Sequence, residues 1–187
     1  MHIIVEFKTI KIMKKLSLLL ASVFMFLTLN VDAQENDKGI LEKTIPDMQL
    51  KNTVGETIHT GQLENDGKPM IISFWATWCT PCKKELNAIH DLYVDWQEET
   101  GVRLIAVSTD DQRTASRVVP YVDSKAWEFQ ILLDPNGDFK RAMGVNNIPH
   151  TFLVDGNGKI VYAHNNYAPG DEYELYDQIL KLMEKED

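Results

Sequence analysis

At 187 residues, with 44% hydrophobic and 25% charged side chains, the chain suits one domain plus a short targeting segment, and its composition excludes a disordered protein. The formal net charge of −9 comes with no basic block, which excludes nucleic acid as a partner and leaves solubility as the role of the acidity. Two cysteines are too few for a disulfide scaffold, and a bridge between positions this close closes almost no loop, so the pair points to chemistry rather than stapling.

The first segment reads as an export signal. Met13-Lys14-Lys15 precedes an apolar run, Leu16 to Leu29, broken only by Ser17, Ser22 and Thr28, and Val31-Asp32-Ala33-Gln34 offers short side chains for cleavage. Residues 1–33 are therefore expected to be a signal peptide, with Met13 a possible true start, and 34–44 a polar linker to a domain over 45–187. The run is shorter than the ~20 residues of a spanning helix, so cleavage is favoured over a permanent anchor and a periplasmic location is expected. No cysteine lies near the cleavage point, which excludes a lipid anchor there.

Ile45–Leu50 alternates apolar with polar and predicts a strand; a turn at Val54-Gly55-Glu56 leads to a return strand from Thr57. Met70–Trp75 is nearly all apolar, as for a strand covered on both faces. Pro81–Thr100 carries Leu86, Ile89, Leu92, Tyr93 and Trp96 at helical spacing and stops at Gly101. A buried strand over Val102–Ser108 follows, then a helix over Gln112–Lys125 that Pro120 should kink or break. A strand over Glu128–Leu133 and a short helix over Asn136–Met143 come next. Strands over Thr151–Val154 and Lys159–Ala163 flank the turn Asp155-Gly156-Asn157-Gly158. A last helix over Gly170–Lys185 places Tyr173, Tyr176, Ile179, Leu180 and Met183 at helical spacing. Alternating strands and helices of this kind predict an α/β fold, a sheet with helices on its faces and an antiparallel hairpin at the end.

The chemistry lies in Trp78-Cys79-Thr80-Pro81-Cys82-Lys83. Cys-x-x-Cys between a strand and a helix is the setting in which this spacing signals redox chemistry. Cys79 falls at the helix N-terminus, where unpaired N–H groups and the helix dipole favour a thiolate, making it the nucleophile. Pro81 suits the first turn, where a missing N–H is not felt. Cys82, one turn on and more enclosed, is the resolving thiol. Zinc would want a second ligand pair, which is lacking; copper(I) held by both thiolates and a histidine such as His150 stays open as an alternative. No cofactor or resident metal is expected under the redox reading. A peroxidase would want Ser or Thr three residues before its cysteine, where Ala76 stands.

The run Phe74-Trp75-Ala76-Thr77-Trp78-Cys79-Thr80-Pro81-Cys82-Lys83-Lys84-Glu85, with Gly144-Val145-x-x-Ile148-Pro149-x-Thr151-Phe152-Leu153-Val154-Asp155, closely resembles the TlpA-like and ResA-like thiol–disulfide oxidoreductases of the thioredoxin superfamily, over about residues 45–185. The resemblance implies a thioredoxin-like fold with an N-terminal hairpin and an added αβ element, here Gln112–Leu133. It implies that Pro149 is a cis proline facing the dithiol, with the Ile148 backbone available to a peptide; an ordinary trans turn is the other reading. It gives Glu85 a role in tuning the thiols or moving a proton, against the alternative of a solvated surface glutamate. Where thioredoxin has a buried aspartate six residues before its first cysteine, this chain has Ser73, which leaves Glu85 or water to take the proton of Cys82. Trp78 is expected to pack beside Cys79 and limit access, His150 to be either near the rim or a strand-end residue, and Trp75 to lie in the core. His59, His90 and His164 default to the surface. The partners implied are exported proteins carrying disulfides, such as apocytochromes c, and a membrane thiol–disulfide electron donor. The direction of electron flow leans to reduction.

Overall fold

The computed structural model describes residues 43–184; the expected signal peptide, and the expected linker up to residue 42, lie outside the described residues. Seven strands, β1 (Gln49–Asn52), β2 (Thr57–His59), β3 (Met70–Trp75), β4 (Arg103–Ser108), β5 (Gln130–Leu133), β6 (His150–Val154) and β7 (Ile160–Asn165), form one mixed sheet in the order β2-β1-β5-β4-β3-β6-β7. Among the described residues four α-helices accompany them: α1 (Thr80–Thr100), α2 (Val118–Lys125), α3 (Asp138–Ala142) and α4 (Asp171–Met183). Strands β3, β4 and β5 are parallel, joined through α1 and α2, while β6 and β7 run antiparallel beyond β3 and the β1–β2 hairpin attaches antiparallel to β5. This is the expected α/β, thioredoxin-like architecture with its N-terminal hairpin and added αβ element.

Because successive residues of a strand face opposite sides, β3 feeds two cores. Ile71 and Trp75 join Leu86, Ile89, Tyr93 and Trp96 of α1, Val118 and Val122 of α2, and Leu175 and Ile179 of α4. Ile72 and Phe74 join Phe139 of α3, Met143, Val145 and Phe152 on the other face. All six residues of β3 are buried, which is why its sequence shows no alternation. Helix α1 ends where Gly101 takes φ 67°, a left-handed position suited to glycine, and its N–H returns to the Gln97 carbonyl. Gly156 has a different reason: a Cβ there would sit 2.0 Å from the Gly67 carbonyl oxygen, so the β6–β7 turn can approach that loop only without a side chain.

Four expectations need correcting. The first strand begins at Gln49, not Ile45; the chain before it is held instead by Thr60, whose hydroxyl donates to the Pro46 carbonyl at 2.6 Å and accepts from the Met48 N–H at 2.8 Å. Pro120 neither kinks nor breaks a helix. Residues Ala115–Arg117 form a 3-10 turn, and Pro120 falls in the first turn of α2, where no N–H partner is required. The short helix over Asn136–Met143 narrows to Asp138–Ala142. In α4, Tyr173 is exposed, and the helix is anchored by Leu175, Ile179 and the ring of Tyr176 stacked on Trp96, centroids 4.9 Å apart.

Candidate active site

Strand β3 ends at Trp75, and residues 76–79 lead directly into α1. Cys79 is the N-cap: its backbone is extended, and its Sγ accepts the Cys82 N–H at 3.3 Å. No acidic side chain occupies the first turn, so sulfur is the group placed at the positive end of the helix. Cys79 and Cys82 are joined in a disulfide, with Cα atoms 5.4 Å apart. The two are not equivalent. Cys79 retains 6% exposure and Cys82 none, so only the first can be approached from outside.

The loop carrying Cys79 is pinned by a residue with no signal in the sequence pattern. Asp110, buried just after β4, accepts the Thr77 N–H at 2.7 Å, the Thr77 hydroxyl at 2.5 Å and the Ser108 hydroxyl at 2.9 Å. Three donors satisfy a carboxylate that burial would otherwise penalise. Asp-Asp at positions 110–111 gave no periodic signal, and only the parallel pairing of β3 with β4 brings Asp110 beside Thr77.

Glu85 is not a surface glutamate. It lies one turn after Cys82 on the same side of α1 and is 1% exposed. Thr151 Oγ1 lies 2.8 Å from Glu85 Oε1 and 2.9 Å from Ser73 Oγ. A threonine hydroxyl has one proton, so Thr151 donates to the carboxylate, the stronger acceptor, while Ser73 turns its own proton to Thr151. His164 completes the group: its Nε2 lies 2.8 Å from the same Oε1. Oε2 is enclosed and has no hydrogen-bond partner among the described residues. Ser73 of β3 thus meets Thr151, and the carboxylate of this group is supplied by α1.

His164 therefore departs from its expected surface placement; its side chain is only 15% exposed. His59 sits at the surface 3.6 Å from Asp47, and His90 packs against the Phe129 ring. His150 is not at the rim. It is buried and stacks on Phe152, centroids 4.5 Å apart, on the α3 face of the sheet, whereas Cys82, Ser73, Thr151 and Glu85 occupy the opposite face. The three side chains named for copper(I) are thus not gathered at one point, and among the described residues no cluster of three His, Cys, Asp or Glu has metal-holding geometry.

Trp78 is 59% exposed rather than packed down, and it borders a shallow depression with Thr109, Pro135, Lys140, Arg141 and Val145. Trp75 is fully buried as expected, edge-on to Trp127 at 5.0 Å. The Ile148–Pro149 bond is cis, and it enters β6 where His150 pairs with Phe74, at the end of β3 from which the dithiol loop departs. Ile148 is half-buried and touches both cores, and the Pro149 carbonyl accepts the Asn166 N–H at 3.0 Å.

Comparison with known proteins agrees with this geometry. Residues 41–163 match the model of the AhpC/TSA family. The thiol–disulfide oxidoreductase ResA of Oceanobacillus iheyensis is 37% identical over 119 residues, which is 62% of this chain and 59% of that protein. ResA of Bacillus anthracis is 31% identical over 127 residues, 68% of this chain and 70% of its own length. A thioredoxin-like protein from Porphyromonas gingivalis, solved in solution, is 56% identical and superposes with a TM-score of 0.68 over 75% of this chain and 92% of that one. With its dithiol at the head of α1 and its cis Pro149 just before β6, the chain belongs to the AhpC/TSA family of thioredoxin-like proteins, and within it to the ResA-like thiol–disulfide oxidoreductases.

Proposed function

We propose that this protein is an exported reductase of protein disulfides. The observation that carries the reading is the asymmetry of the dithiol: Cys79 Sγ caps α1 and retains access, while Cys82 is enclosed one turn above the buried Glu85. In the reduced state the Cys79 thiolate attacks a substrate disulfide, forming a mixed disulfide and releasing one substrate thiolate. Cys82 gives its proton to Glu85 and attacks Cys79 Sγ, which releases the second substrate thiolate and leaves the Cys79–Cys82 disulfide. Two electrons pass to the substrate, and a membrane thiol–disulfide donor restores the dithiol.

Trp78, Ile148 and the cis Pro149 form the proposed approach for a substrate peptide, with the exposed Trp78 ring as its apolar contact. His150 lies outside that surface, buried against Phe152 in the other core. Support for export is the charged start, apolar run and short-side-chain end of residues 13–34. The clients fitting that location are exported proteins with disulfides, apocytochromes c among them.

Turnover of insulin disulfides by the purified protein tests the chemistry. Cys79→Ser is expected to abolish it, and full activity in that variant would sink the reading. Fractionation of cells expressing the full chain tests export; an uncleaved cytoplasmic product would reverse it. Electron direction is tested by the reduction potential, since a value at the oxidising end of the family range would make the protein an oxidant.

A further inference from the structure

Glu85 has two oxygens in two situations. Oε1 is occupied by Thr151 and His164, while Oε2 is enclosed and unpaired among the described residues. In the reduced protein the Cys82 thiol, one helical turn away on the same face, is a proton donor suited to that oxygen. Glu85, at 1% exposure, has no direct route for passing a proton to water, whereas His164 is partly exposed. A buried carboxylate that gains or loses a proton alone changes the net charge of a dry site, which is costly.

Resting on the reading of Glu85 as the base for Cys82, we propose that His164 is its positioning and proton-releasing partner, so that the buried pair keeps the same net charge throughout the resolving step. Before the step, a carboxylate faces a protonated imidazole. The proton of the Cys82 thiol moves to Glu85 Oε2, and a proton leaves the His164 ring to solvent. The pair ends as neutral acid and neutral imidazole, with the Nε2–H still donated to Oε1. One proton enters and one leaves, and the electron pair on Cys82 forms the bond to Cys79 while the substrate thiolate departs.

The groups around the pair permit this exchange. Thr151 of β6 lies on Glu85 and Ser73 of β3 lies on Thr151, and neither brings a fixed charge; Cys82 precedes Glu85 by one turn on α1. From β7, Tyr162 lies 5.8 Å from the His164 ring. Tyr167, after β7, feels Glu85, but burial holds its phenol protonated and its hydroxyl donates to Glu172 at 2.8 Å. His164 is thus the basic side chain placed directly on Glu85, its Nε2 2.8 Å from Oε1.

Mixing the reduced protein with dithionitrobenzoate separates the two steps, because attack by Cys79 releases one coloured thiolate and resolution by Cys82 releases a second. Glu85→Gln is expected to slow the second release about a hundredfold, in the range of general-base catalysis. His164→Leu and His164→Gln should each slow it about tenfold at pH 7 and flatten its pH profile, with the first release little changed. Glu85→Gln combined with His164→Leu should be no slower than Glu85→Gln alone. The glutamine variant retains an N–H for Oε1, so wild-type rate and pH profile in it would overturn the proposal. A slow Glu85→Gln with unaffected His164 variants overturns the role of His164 alone. A wild-type rate in Glu85→Gln overturns the base reading, and this inference with it.

Discussion

The paired strands β3 and β6 build unlike environments on their two faces. Toward α1, Ser73 and Thr151 stand opposite each other in the ladder and support Glu85 and His164. Toward α3, Phe74 meets Phe139 and Phe152 at 5.4 and 6.1 Å, and His150 stacks on Phe152. Adjacent residues serve opposite purposes because a strand turns each successive side chain over. One face is a hydrogen-bonded polar group set beneath a dithiol; the other is aromatic packing that holds the strands in place. The acid proposed to serve the chemistry is thus buried in a core that is polar on one face alone, while the other face is packed with aromatic rings.

This division can be broken by experiment, with stability read from urea unfolding of the oxidised protein. The largest effect is expected from Phe74→Ala on the aromatic face, about 3–5 kcal/mol for a fully buried ring, with the two thiolate releases of the reduced protein unaltered. If that variant slowed the second release selectively, the faces would not be separate. Asp110→Ala leaves the Thr77 N–H and two hydroxyls without their acceptor. It should cost about 2–3 kcal/mol and slow the first release, because the loop that positions Cys79 is freed. An unchanged first release would show that the loop needs no such clamp.

Thr151→Val keeps the shape but removes the hydroxyl from Glu85 and Ser73, with about 1–2 kcal/mol lost and the second release slowed. Loss of stability without slowing would assign Thr151 to packing. The smallest effect is expected far from the site, at Tyr93, whose hydroxyl accepts the Leu104 N–H at 2.9 Å. Burial is the main cause raising its phenol above the ordinary value of 10.0. The folded state therefore favours the neutral phenol. That contribution is complete below pH 10, and it is lost as pH rises through the higher folded value. Tyr93→Phe should cost about 1 kcal/mol at pH 7 and flatten the alkaline decline in stability. An alkaline limb identical to wild type would assign that decline to other groups.

What the sequence by itself determined were features whose signal is local. Cys79, Pro81 and Cys82 lie within four residues at the head of a helix, so the dithiol and the helix start, and with them the proposed nucleophile and resolving thiol, are read from one short run. Strands β3 and β4 declared themselves by apolar continuity, and α1 by its period and the glycine that ends it. Features that depend on which strands lie side by side were decided only by the tertiary structure. Glu85 and His164 are separated by 79 positions, and Thr151 and Glu85 by 66. A glutamate on a helix carries the same local pattern whether it faces water or β6, and a histidine in β7 looks isolated until β6 places it over Glu85. His150 and Thr151 differ by one position, yet the parity of the β3–β6 register sends one to the aromatic core and the other to the acid. Register is a property of two strands and of the cores they cover, so neither strand alone reveals it.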